Sequence, residues 1–145
     1  FESQGRYLKY QPIGRARATM NAMAALKQYQ TVNNQAQAAE ASPHRLIQML
    51  MEGGLSRIAQ ARGAMERGQT ALKGELIGKS IAIIAGLRES LDHQQGGELA
   101  GNLDSLYEYM IARLTEANVS NEPELLEEVS VLLRNVKQGW DAIAQ

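Results

Sequence analysis

The sequence predicts an all-α fold, an antiparallel up-and-down four-helix bundle with a short mobile N-terminal arm. Three observations carry that prediction. Four apolar patterns recur at helical spacing, each runs for about 20 residues (near 30 Å at about 1.5 Å per residue), and only a few residues separate one from the next. Connections that short force successive helices to run antiparallel. Aromatic residues make up only 5% of the chain, so Leu, Ile, Val, Met and Ala must fill the core, a composition that favours helix over sheet.

The first helix is placed at about 43–67. Ser42 is a strong N-cap and Pro43 suits the first helical position. Ile47, Leu50, Met51, Leu55, Ile58 and Met65 supply its apolar stripe, and Gly68 stops it. The second, about 72–93, carries Ile77, Ile81, Ile84, Leu87 and Leu91 on one face with Leu76 and Ile83 beside them, and Gln94-Gln95-Gly96-Gly97 breaks it. The third, about 98–118, runs through Leu103, Leu106, Tyr107, Met110, Ile111 and Leu114. Asn121 is then a candidate N-cap for a fourth helix at about 122–144, with the stripe Leu125, Val129, Leu132, Val136, Trp140 and Ile143.

Residues 20–41 are small and polar, with a thin stripe at Leu26, Tyr29 and Val32, and read as an arm that moves unless docked. Residues 1–19 show no helical period and read as an accessory or non-native extension ahead of a start at Met20. The domain organisation is therefore an extension at 1–19 and a helical bundle at 20–145.

The 145 residues suffice for one ordinary domain, and 44% hydrophobic with 21% charged residues is a globular composition. Without cysteine there is no disulfide scaffold, thiolate nucleophile or zinc finger. The longest uncharged apolar run, roughly 80–87, is far short of the ~20 residues that span a membrane. No secretory signal pattern opens the chain, so a cytoplasmic location is expected, without membrane insertion. Arg6, Lys9, Arg15 and Arg17 make residues 1–19 basic, whereas the remainder is weakly acidic and lacks a nucleic-acid footprint.

The residues that could do chemistry do not assemble into a set. His44 lies in the first turn of the first helix and His93 at the end of the second, four residues after Glu40 and Glu89 respectively; neither has the Glu-x-x-His spacing of a metal bundle. Gly53-Gly54 and Gly96-Gly97 lack the Lys-Ser/Thr of a phosphate loop. The first pair sits inside a helix, where each glycine costs ~1 kcal/mol against alanine, and a close approach of another backbone or a ligand helix would offset that. Glu122, Glu124, Glu127 and Glu128 read as a solvated face at a favourable helix N-terminus. Tyr107 and Tyr109, two apart, must point to different faces. No nucleophile, base and orienting group come together, so an enzyme is not expected, and no cofactor or metal ion is called for.

One feature exceeds a minimal bundle. Leu46 and Met49 on the first helix, Leu76 and Ile83 on the second, and Leu126 and Leu133 on the fourth lie outside single core-facing stripes. A wide stripe of ~100° or more accounts for them, and so does a surface groove that receives a partner helix.

The string Ala41-Ser-Pro-His-Arg-Leu-Ile-Gln-Met-Leu50, followed by Glu52-Gly53-Gly54, resembles the first bundle helix of the flagellin-specific export chaperones, the FliS family. Ser90-Leu-Asp92, Gly96-Gly97-Glu98-Leu-Ala100, Asn102-Leu-x-x-Leu-Tyr107-x-Tyr-Met110, Arg113-Leu114, Glu116-Ala117-Asn118, Glu127-Glu128-Val129, Leu132-Leu133 and Trp140 continue the pattern from about Met20 to the C-terminus. The resemblance implies a cytosolic bundle that binds the disordered C-terminal region of flagellin, prevents premature polymerisation and delivers it to an export-gate component of the flagellar secretion apparatus. It implies an N-terminal lid carrying Leu26 and Tyr29. The expected flagellin groove comprises Leu46, Met49, Leu50, Gly53, Ile77, Ile81, Ile84, Leu87 and Leu91, with Leu103 and Tyr107 at its border. Ile81 and Ile84 are the members expected to be purely structural. The free protein is expected to be a monomer or weak dimer. A helical adaptor that dimerises through the same apolar faces is the alternative.

Overall fold

The structure, a computed structural model, describes residues 41–143. These form four helices: α1 over Pro43–Glu66, α2 over Thr70–Glu89, α3 over His93–Ser120 and α4 over Pro123–Asp141. Each helix packs on its sequence neighbours, and α4 returns beside α1 to close a four-cornered bundle. Polar contacts at both ends fix the directions. The start of α1 meets the end of α4 through His44 and Trp140, and its far end meets the start of α4 through Arg62 and Glu127. The end of α2 pairs with the start of α3 through Arg88 and Asp104, and its start reaches the end of α3 through Lys73 and Asn118. The result is the antiparallel up-and-down bundle. No described helix is long and apolar enough to cross a membrane.

α1 begins as its capping residues dictate. The Ser42 hydroxyl accepts the Arg45 backbone N–H at 3.1 Å, and Pro43 occupies the first turn. Gly54, in the middle of α1, shows why the helix tolerates a glycine there. A Cβ built on it would stand 3.1 Å from Leu133 Cδ2 of α4 and 3.4 Å from Ile83 Cγ2 of α2, so the missing side chain lets both neighbours close on the helix.

The α2–α3 connection differs from the sequence expectation. α2 ends at Glu89, and the Ser90 hydroxyl donates back to the Gly86 carbonyl. Asp92 then caps α3, its Oδ1 accepting the N–H groups of Gln94 and Gln95 at 3.1 Å each. His93 is therefore the first residue of α3 rather than the last of α2. The expected break survives only as a kink at Gly97, whose φ of 53° and ψ of −125° suit a residue without a Cβ. The capping aspartate starts the helix one turn before the glycine pair can interrupt it.

The α3–α4 junction also departs from expectation. Asn121 is not the N-cap of α4; it ends α3 in the left-handed conformation, φ 55°. Glu122 occupies the N-cap position without a side-chain cap, ahead of Pro123. Lys73 of α2, only 4% exposed, donates to the Asn118 carbonyl at 2.9 Å and to Asn121 Oδ1 at 2.6 Å. A buried ammonium is tolerated there because the carbonyl end of α3 carries partial negative charge.

The core joins all four helices in one apolar cluster. Leu46, Met49, Leu76, Ile83, Leu126 and Leu133, which lay outside the single stripes, are all buried. Leu55, Met65, Ile81, Leu103, Leu106, Ile111, Leu132 and Val136, read as stripe residues, are only partly buried against it. Each helix touches two neighbours, so its buried arc is wider than one stripe and is centred between the two contact lines.

Candidate functional site

The residues expected to form a groove divide sharply. Leu46, Met49, Leu50, Gly53, Ile77, Ile84, Leu87, Leu91 and Tyr107 are buried, whereas Ile81 and Leu103 keep part of their surface. The pairing of Ile81 with Ile84 as purely structural residues thus separates: Ile84 is enclosed and Ile81 is not. Leu26 and Tyr29, the expected lid residues, lie outside the described residues.

The accessible members belong to α2 and α3, which pack side by side. The Arg88–Asp104 pair ties α2 to α3 across the seam between them. A pocket of about 400 Å³ opens along this seam, lined by Ala85, Arg88, Glu89, Leu91, His93, Asp104 and Ile111. Its aliphatic lining comes from Ala85, Leu91 and Ile111. The remainder of the outward surface of α2 is small or apolar, with Leu72, Gly78 and Ala82 exposed and charge supplied by Glu75, Lys79 and Glu89. A helix with so little polar surface outside the core offers backbone-close approach to another chain.

Ion pairs hold the seam's rim. Arg88 Nε donates to Asp104 Oδ1 at 2.6 Å, and its terminal nitrogen reaches Asp104 Oδ2 at 3.3 Å and Glu108 Oε2 at 2.7 Å. The hydrogen bond from Arg88 holds the Asp104 carboxyl below the usual carboxylate range against the opposing effect of desolvation, and the nearby His93 adds to the lowering. Sequence reasoning did not single out Arg88 or Asp104, because only the register across two helices brings them together.

The other candidates serve the fold. His44 Nε2–H donates to the Trp140 carbonyl at 2.7 Å, and the Trp140 indole N–H returns a bond to the His44 carbonyl at 3.0 Å. The two rings stack at 4.6 Å. Since a carbonyl can only accept, Nε2 carries the proton, and Nδ1 is left buried without a partner among the described residues. Tyr107 is buried, and burial pushes its phenol far above the ordinary range. Tyr109 lies on the surface, with its hydroxyl donating to Glu128 at 2.6 Å. Glu127 and Glu128 are not simply solvated: they bridge helices to Arg62 and Arg113, each at 2.9 Å. Among the described residues no group of three or more His, Asp or Glu side chains could hold a metal ion.

The family described as "Flagellar protein FliS" matches residues 25–145. The chain is 68% identical over 125 residues to the flagellar secretion chaperone FliSB of Pseudomonas aeruginosa, covering 86% of this chain and 99% of that protein. It is 43% identical to the flagellar secretion chaperone FliS of Salmonella typhimurium over 120 residues, 82% of this chain and 89% of that one. The Vibrio cholerae protein of the same name is 42% identical over 118 residues, 81% of this chain and 87% of the relative.

Proposed function

Because the chain belongs to the FliS family, whose members are flagellar secretion chaperones, we propose that it holds the C-terminal region of flagellin in the cytoplasm, blocks its premature polymerisation and hands it to an export-gate component. The observation that carries this reading is the α2–α3 seam, a partly apolar surface with a pocket of about 400 Å³. Ile81 and Leu103 are the expected groove residues that remain accessible to a client. The buried members, such as Leu50 and Leu87, belong to the core on which the helices pack.

The energetics suit a carrier. Apolar burial contributes about 25 cal/mol per Å², while ordering a disordered tail opposes it by several kcal/mol. The balance leaves a complex that is stable and still releasable. The chemistry of the site is consistent with a binding role: its charged groups are engaged in ion pairs, and no nucleophile stands beside a base among the described residues.

Calorimetric titration of the full chain with a peptide from the C-terminal region of the same organism's flagellin tests the proposal. Saturable 1:1 binding with a negative heat-capacity change is expected. A folded chain that leaves the peptide free, yet doubles its mass with concentration, would replace the chaperone reading with the adaptor one.

A further inference from the structure

We infer that the α2–α3 pocket reads a specific feature of its client: an aliphatic side chain with a lysine or arginine about one helical turn away. This rests on the chaperone reading above and specifies the chemistry that the seam recognises. The aliphatic half of the argument is the lining, where Ala85, Leu91 and Ile111 form the apolar wall of a space that admits a branched side chain. The cationic half is charge complementarity. Arg88 stands against both Asp104 and Glu108 and binds the two together, so at this rim the two carboxylates exceed the charge of the one guanidinium they share, with His93 as a further neighbour in the pocket lining. A cation arriving at the rim would share Asp104 or Glu108 with Arg88 at little cost, because Glu108 is still largely open to solvent.

The same charge argues against a second copy as occupant. Residues 20–145 carry a net negative charge, and two rims each bearing Asp104 and Glu108 would repel when brought face to face. A client with an apolar residue and a cation on one helical face satisfies both halves of the pocket, since residues three or four apart share a face.

The test titrates the flagellin C-terminal peptide into the full chain at low and high salt, then into Asp104→Asn combined with Glu108→Gln, and into Arg88→Gln. The carboxylate variant is expected to bind about fivefold more weakly and to lose most of its salt dependence. Arg88→Gln, which leaves the carboxylates uncompensated, is expected to bind about threefold more tightly at low salt. A purely structural ion pair would instead weaken binding in both variants, through the fold, and that outcome overturns the inference. Equal affinity and equal salt dependence in all three proteins overturns it too, while the chaperone reading stands. Tighter binding by the carboxylate variant would assign the pocket to the basic segment at residues 1–19 as an internal competitor, and would likewise overturn it. If the unsubstituted chain itself does not bind the peptide, the chaperone reading fails and the inference falls with it.

Discussion

Trp140 shows how one side chain can join the first and last helices of the bundle. It is 7% exposed, stacks on His44 and donates its indole N–H to the His44 carbonyl, so the last turn of α4 is locked to the first turn of α1. Trp140→Ala is expected to lower stability by about 3–5 kcal/mol, since a large buried ring leaves a cavity. Trp140→Phe keeps most of the packing and forfeits the hydrogen bond, for a loss of about 1–2 kcal/mol. Urea unfolding of the two variants checks the order, and a loss under about 1 kcal/mol for the alanine variant would mean that the indole contributes little. Neighbouring Gln48 and Asp141 join the same corner at 2.9 Å.

At the scale of the element, the ends of the helices depend on partners elsewhere in the chain. Asp92 caps α3 with its own side chain, whereas α3's other end is served by Lys73 from α2. Lys73→Met keeps most of the unbranched stem and removes the ammonium, leaving the Asn118 carbonyl and Asn121 without the Lys73 donor. The expected loss is about 1–3 kcal/mol. Amide exchange should quicken most in the last turn of α3 and the first of α4. A loss confined to α2 would show instead that the lysine stem, rather than its charge, stabilises that junction.

For the whole molecule, pH acts through the ion pairs that bridge helices. The Glu128 carboxyl lies below its ordinary range because the Tyr109 hydroxyl, and then Arg113, hydrogen-bond to its charged form. Asp104 is lowered chiefly by its bond to Arg88. A carboxyl with a depressed pKa in the folded state contributes stability above its unfolded value, near pH 4, and loses it as the pH falls through the folded value. Glu128→Gln is therefore expected to melt below the parent chain at pH 7 and to converge with it in acid. The gap should be small, since solvent screens the exposed pair. Melting curves from pH 7 down to pH 3 check this, and a gap that widens in acid would reverse the assigned sign.

The sequence by itself determined the helical class, the number of helices and their antiparallel order. Those follow from local spacing, from the Ser42-Pro43 start and from connections too short for any other path. It also identified the two tyrosines as residues with opposite fates, because a period of 3.6 residues separates faces without reference to any partner. For Gly53-Gly54 it pointed to another backbone or a ligand helix, whereas the side chains of Leu133 and Ile83 are what close on Gly54. It did not determine where each buried arc is centred. Ile81 and Ile84 look equivalent on one stripe, yet the contact of α2 with both α1 and α3 encloses Ile84 and leaves Ile81 only partly buried. Nor could it pair Arg88 with Asp104 or assign Asn121 to the end of α3, where Lys73 meets it. Spacing along one chain reports the direction of a side chain about its own helix axis. The rotation and register of one helix against another come from packing across the bundle, and they decide which of those directions meets solvent.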